Sequence, residues 1–482
     1  MQHPADPWTL HPDRALPAEP GQRAIARELY AAIAGLPIIS MHGHVDAGML
    51  ARDESFPDPA ELLVIPDHYL LRMLVAHGVR YEELGIPSRA AGAPAPETDR
   101  RLIWRRLCEN WSLFRGTPTR YWLEHELVEV FGVTRMPSAG TADAIYDELL
   151  DTLARPQSRP RALFERFGIE VLATTDPASA TLADHAALRA DGWGERVIPT
   201  FRPDALFHPH RPGWRAELGT LAERADREIG DYPAFLEALR ERRQAFVAAG
   251  ARASDHGHRT ADTTPLPDAE AARLFRDALD GPLGERESAA FAAHLLFESA
   301  RMSLEDGLVL QLHPGIVRDH SAVVARDHGP DLGFDIPERI EFTHALRPLL
   351  DAVGHDPRFR MILFTVDETS YSRELAPLAG AYPSVLLGAP WWFLDAPGGL
   401  ARFRELTTET AGFANTSGFV DDTRAFASIP ARHDLARRID AGYLAKLVAE
   451  HRLGLDEAIE TAIDLTRALP LAAYARREVR HA

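Results

Sequence analysis

Eight short apolar runs punctuate this chain, and each is followed within a few residues by a side chain that can do chemistry. The runs are LPIIS (36–40), IEVLATT (169–175), RVIPTF (196–201), FVAAGARAS (246–254), LVLQLH (308–313), RMILFT (360–365), SVLLG (384–388) and SGFVD (417–421). Short apolar runs of this kind read as strands buried on both faces, the pattern of a parallel sheet. Between them lie amphipathic stretches such as DHAALRADG, AFLEALRERRQ, EFTHALRPLLDAVG and DLARRIDAGYLAKLVAEHR. Strand and helix in repeated alternation predict an α/β chain folded as a (β/α)8 barrel of the TIM type. The spacing is uneven in two places. Residues 45–168 are too long for a loop and are rich in helical pattern, as in RRLIWRRLCENWSLF. A mostly helical insertion between strands 1 and 2, covering the barrel mouth, is therefore expected. A second excursion spans roughly residues 257–300. The expected organisation is an N-terminal arm and helix over 1–35, a barrel built from 36–44 and 169–482, and the insertion over 45–168. The first twenty or so residues read as a mobile or loosely docked arm.

In such a barrel the active site lies at the C-terminal ends of the strands. Following the runs in order come His42 and His44, then Asp176, Arg202, the pair Asp255–His256, His313 with Arg318, Asp367, the pair Trp391–Trp392, and finally Asp421, Asp422 and Arg424. An aspartate after a strand is more often a helix N-cap than a ligand. Polar groups at every strand end are harder to read that way. His42 and His44 flank a single glycine, and residues two apart on an extended segment project to one face. Two imidazoles so placed can hold a divalent metal if a third ligand arrives. A closed barrel sets its first and last strands side by side, which brings an aspartate of VDDTR to the histidines, with His313 across the mouth as a further ligand or a substrate contact. Arg202, Arg318 and Arg424 predict a positive mouth, and the two tryptophans predict apolar walls. This set suits a small anionic, polyhydroxylated or carboxylated substrate.

Composition removes other classes. The formal net charge of -18 argues against nucleic acid or an anionic membrane as partner, since both need a basic face. The single cysteine, Cys108, excludes an internal disulfide. The opening MQHPADPWTLHPDR lacks the basic start and apolar core of a secretory signal. No apolar run reaches membrane-spanning length, so a cytoplasmic location is expected. The only lysine is Lys446, in a helical segment near the C-terminus. Schiff-base chemistry and a metal pair bridged by a modified lysine are therefore not expected.

With these residues in place, the chain resembles the uronate (glucuronate) isomerases of the amidohydrolase superfamily. The stretches that carry the resemblance include LPIISMHGHVD, PDHYLLRMLVAHGV, GTPTRYWLEHELVEVFGV, IPTFRPD, ARASDHG, QLHPGIVRDH, LLGAPWWF and GFVDDTRAF, in the family's order from about residue 36 to 435. The resemblance implies interconversion of an aldohexuronate and a ketohexuronate: D-glucuronate to D-fructuronate and, often, D-galacturonate to D-tagaturonate. It implies one divalent metal ion, Zn²⁺ with Mn²⁺ as the alternative, held by His42, His44 and Asp422. It places His68 and Tyr69 as a substrate-contacting pair from the insertion, Arg202 and Arg424 as substrate-binding arginines, and Trp391 as a pocket wall. The sequence departs from the family pattern at Ser40, Pro314 and Ala389–Pro390, beside the expected pocket.

Isomerisation moves a proton between C2 and C1 and needs a base and a stabilised enediol. Asp422 is the leading candidate for that base, with Tyr69 or His68 orienting the carbonyl and hydroxyl. A guanidinium of Arg202, Arg318 or Arg424 would grip the substrate carboxylate. Two rivals stand beside this reading, because fold does not fix function: a metal-dependent hydrolase or lyase of a lactone or other sugar acid, and a non-catalytic sugar-acid binder. Apolar helical segments such as ELVEVFGV suggest a homo-oligomer.

Overall fold

The computed structural model describes residues 7–476. Seven of the eight runs form the paired strands of one parallel barrel, and the eighth completes it. Its strands are β1 (Ile38–Ser40), β2 (Ile169–Ala173, resuming at Asp176–Pro177), β3 (Val197–Ile198 and Phe201–Arg202), β4 (Ala253–His256), β5 (Val309–Leu312), β6 (Met361–Leu363) and β7 (Val385–Leu387). Every neighbouring pair from β1 to β7 is parallel. Strand β3 breaks at Pro199, which has no N–H to give, yet its ladder to β2 resumes through Asp176 N–H to Thr200 O.

The eighth run is extended but barely paired. It meets β7 through a single parallel bridge, Leu387 to Thr416. It closes on the first strand through Asp422 N–H to His42 O (3.2 Å) and His44 N–H to Thr423 O (2.9 Å). The barrel is thus sealed at the level of the site residues.

Side chains alternate as the pleat requires. Ile39, Val171, Ile198, Ala253, Val309, Ile362 and Leu386 fill the barrel interior. Their neighbours Ile38, Leu310 and Leu363 face the surrounding helices. Both faces are dry, which is why the runs read as continuously apolar.

Three expectations are corrected. Residues 246–248 of the fourth run end the long helix Tyr232–Ala248, and the strand begins only at Ala253. In EFTHALRPLLDAVG the helix starts at Arg347, and the segment before it is a turn in which Glu341 accepts the amides of His344 and Ala345. The N-terminal arm is docked where it is described: Trp8 is buried, its N–H bonds Thr134 O, and Arg14 pairs with Asp434 at 3.0 Å. The arm's residues 1–6 lie outside the described residues.

Between β1 and β2 the chain is helical, with segments that include His68–Ala76, Arg100–Glu109, Pro118–His125 and Ala142–Leu153. Trp104, Trp111, Phe114 and Leu127 give these helices a core continuous with the outer face of β1 and β2. Among the described residues, no helix is long and apolar enough to cross a membrane.

Candidate active site at the C-terminal barrel mouth

One cavity of about 520 Å³ opens at the C-terminal ends of the strands, and His42, His44, His68, Tyr69, Arg202, His313, Arg318, Trp391, Asp422 and Arg424 all line it. His42 and His44 follow β1 directly. Gly43 between them sits so close to strand eight that a Cβ there would lie 3.2 Å from Asp421 Oδ1. The glycine lets the two ends meet. Nε2 of His42 and Nε2 of His44 then converge on one oxygen, Oδ1 of Asp422, at 3.2 and 2.9 Å.

Asp422 holds a left-handed backbone, φ 43°, a conformation aspartate tolerates better than most residues. The two backbone bonds to His42 and His44 bracket it and keep it there. Its neighbour Asp421 turns the other way, to Nε2 of His433 at 3.1 Å. Burial alone would raise the Asp422 pKa, but the imidazoles of His42 and His44 hold it well below the usual carboxylate range.

Across the mouth, His313 stacks on His42 with ring centroids 4.5 Å apart. Its Nδ1 lies 2.7 Å from Oδ1 of Asp255. Asp255 is held ionised well below its ordinary value: burial opposes this, and His313, Arg202 and His42 outweigh it. An ionised acceptor fixes the proton of His313 on Nδ1 and leaves Nε2 as a lone pair. That Nε2 is buried and, among the described residues, without a hydrogen-bond partner, as is Nδ1 of His42. Burial lowers the pKa of His313, so the ring is neutral. His42, His44 and Asp422 offer ligand atoms within 4.8 Å of one another, and so do His42, Asp255 and His313. The two groups share His42, and each is of the kind that holds a divalent transition metal.

The other predicted residues sit around this set. His68 and Tyr69 open the helix His68–Ala76, capped by Asp67, which accepts the amide of Tyr69 at 2.8 Å. The His68 ring stacks between Tyr69 (4.7 Å) and Trp392 (5.0 Å). Burial and the Arg424 charge push the His68 pKa down to about 4, so the ring is neutral. Trp391 is buried edge-on to His313. Asp176 and Asp367 do not join the site. Asp176 accepts from Thr174, and Asp367 caps the turn at Thr369.

The expected positive mouth is corrected. Arg202 is held by Asp204 (2.8 Å) and Asp255 (3.4 Å), Arg318 by Asp335 (2.7 Å) and Arg424 by Asp331 (2.5 Å). Seven aspartates line the cavity against five arginines. This excess of carboxylates and the orphaned imidazole nitrogens of His42 and His313 are the fit a metal needs here.

Two lining arginines escaped the sequence reading. Arg432, on the helix Ile429–Ala449, pairs with Asp395 at 2.6 Å and lies 3.6 Å over Trp122. Its place in a helix rather than at a strand end concealed it. Arg211 sits in the loop after β3 and lines the rim with no ion pair among the described residues. The only signal for it was the cluster HPHRP.

The whole-chain comparisons agree with one another. Residues 21–465 match the family model described as glucuronate isomerase. The uronate isomerase of Rhizobium meliloti is 54% identical, over 96% of this chain and 99% of that protein. The crystal structure of glucuronate isomerase from Caulobacter crescentus superposes with a TM-score of 0.95 at 49% identity, covering 98% of each chain. Uronate isomerase from Thermotoga maritima gives 0.90 at 26% identity, over 97% of this chain and all of that one. A (β/α)8 barrel with this mouth, matched over its whole length, belongs to the glucuronate isomerase family.

Proposed function

We propose that the chain is an aldose–ketose isomerase of hexuronates, converting D-glucuronate to D-fructuronate and acting also on D-galacturonate. The observation that carries this reading is the nearly full-length match to relatives named uronate isomerase. The cytoplasm, where a lone buried Cys108 stays a thiol, is the location that fits.

A zinc-class ion, Zn²⁺ before Mn²⁺, bound by His42, His44 and Asp422 would supply a Lewis-acidic anchor for substrate oxygens. The chain's own groups do the proton work. The open-chain aldose carries an aldehyde at C1 and a hydrogen on C2. Asp422, ionised, takes the C2 proton, and the electrons of that bond form the C1–C2 double bond. The carbonyl oxygen at C1 takes a proton from the Tyr69 hydroxyl, giving a neutral enediol. The Tyr69 phenolate then takes the O2 proton as the C2 carbonyl forms, and Asp422 returns the abstracted proton to C1, which completes the ketose and restores both groups. Burial raises the Tyr69 pKa, which keeps the hydroxyl protonated and able to donate. His68, neutral and stacked, orients the substrate through a lone pair or N–H. Arg202 reaches in beside Asp255 and stabilises charge developing on oxygen.

For the sugar carboxylate, Arg211 is the best-placed cation, since each other pocket arginine already faces an aspartate. Arg318 and Arg424 complete that side. Residues 45–168 serve as the cover that brings His68 and Tyr69 over the barrel.

The test is a dehydrogenase-coupled or circular-dichroism assay on zinc-loaded protein with D-glucuronate and D-galacturonate. Keto-acid formation from D-glucuronate is expected. No turnover of either sugar by protein shown to hold one metal would refute the assignment and favour a lactone or other sugar-acid hydrolase.

A further inference from the structure

The sequence His-Gly-His occurs twice at a strand end: at residues 42–44 after β1 and at 256–258 on β4. We propose that the second pair, with Asp204, forms a separate cation site of zinc-class chemistry behind the barrel wall. On β4, Ala253 packs into the barrel and Asp255 reaches His313 on the same side. The pleat therefore turns His256 to the opposite face, where its ring lies 5.8 Å from Phe207 in the helical layer. One ligand atom from each of Asp204, His256 and His258 falls within 4.8 Å of the others.

The site has unmet demand. Among the described residues, Nδ1 of His256 and Nε2 of His258 are buried with no hydrogen-bond partner, and so is Nε2 of the adjoining His208, while the other nitrogen of His256 lies 3.1 Å from Ser254 Oγ. The His208 ring centroid is 5.5 Å from that of His258. Two unpartnered imidazole nitrogens in a buried cluster that also holds a carboxylate, with a third on the ring next to it, are unusual in a folded interior, because a buried polar atom left alone is costly.

Asp204 is partly committed. Its Oδ2 accepts from Arg202 Nε (2.8 Å) and Gly257 N–H (3.0 Å), while Oδ1 accepts only from the same Gly257 N–H at 3.1 Å. One lone pair on Oδ1 stays open. Gly257 permits this approach: a Cβ there would lie 2.7 Å from Arg202 Nη2 and 2.9 Å from Asp204 Oδ2. Two imidazoles and one carboxylate select a borderline cation such as Zn²⁺ over Mg²⁺ or Ca²⁺.

The experiment is zinc stoichiometry on the full chain, stripped with chelator, re-equilibrated with Zn²⁺ and measured by elemental mass spectrometry. Two equivalents are expected for the unaltered chain and one each for His44→Ala and His258→Ala. One equivalent in the unaltered chain, lost in His44→Ala and kept in His258→Ala, overturns the proposal. So do two equivalents that both survive His258→Ala. Should His258→Ala fail to fold, Co²⁺ titration of the unaltered chain decides the matter. Visible absorption rising to two equivalents in two spectrally distinct steps supports the site, and saturation at one equivalent rejects it.

Discussion

Two strands of this barrel end in His-Gly-His beside an aspartate, and their surroundings differ. At β1 the carboxylate is Asp422, and among the described residues its side chain pairs with the two imidazoles. At β4 the carboxylate is Asp204, already bound to Arg202 and to the Gly257 amide. The first pair opens on the cavity at the barrel mouth. Of the second trio, Asp204 alone lines that cavity. The same tripeptide is thus put to two uses by what the barrel brings opposite to it. An aspartate with no other partner can serve a metal and a proton. An aspartate that also holds an arginine sets the direction of that arginine.

The sharpest way to break this contrast is Asp422→Asn. It removes the proposed base and the charge that gathers His42 and His44. We expect kcat to fall by about a thousand-fold and metal content to fall with it. A variant that keeps its metal and stays within about ten-fold of the original kcat would move the base elsewhere, with His313 next in line.

Asp204→Asn should cost less, about ten- to a hundred-fold in kcat/KM, the usual range for a partner that orients a functional group. Arg202 keeps its Asp255 contact at 3.4 Å in that variant, so it is loosened rather than lost. Asp204→Asn falling as far as Asp422→Asn would erase the distinction between the two clusters. Steady-state kinetics with D-glucuronate measures both.

Smaller again is Arg211→Met. A charge-assisted contact to a carboxylate is worth about 1.5–3 kcal/mol, so KM for D-glucuronate should rise by about ten-fold or more with kcat little changed. An uncharged analogue such as the uronamide should bind both forms alike. Equal losses for charged and uncharged ligands would remove Arg211 from the carboxylate site.

The barrel was legible because parallel strands buried on both faces write themselves as unbroken apolar runs. The first cluster was legible because His42 and His44 are adjacent in sequence and barrel closure supplies Asp422. What the sequence concealed was pairing. Asp331, Asp335 and Asp395 lie in loops and turns with no periodic signal, yet they take up Arg424, Arg318 and Arg432. Reading arginines without those partners produced a positive mouth that the structure does not have. The orphaned nitrogens at His256 and His258 were equally silent, since burial of one ring atom depends on helices from elsewhere in the chain. The choice between a mobile and a docked arm stayed open in the sequence for a related reason. The arm's anchors, Trp8 and Arg14, are two side chains in an otherwise polar, proline-rich stretch, and each finds its site only in the folded chain.

That arm supplies the mildest test, because it concerns stability rather than turnover. His125 lies against Arg14 and Asp434, and burial with the Arg14 charge pushes its pKa down to about 4. His68, at the cover of the first cluster, is likewise near 4. Both groups have a folded pKa below the ordinary 6.5. Above 6.5 neither state binds a proton there, and stability is unaffected. Below it the unfolded chain takes up protons that the folded chain refuses, so stability declines as pH falls from 6.5 towards 4. His125→Gln keeps a hydrogen-bond acceptor for Arg14 and cannot titrate, so its urea midpoint should fall less steeply over that window. His68→Phe should do the same while retaining the stack on Tyr69 and Trp392. Unchanged slopes in both variants would mean that these rings are hydrated enough to protonate in place, and that the cover and the arm are looser than the packing around them implies.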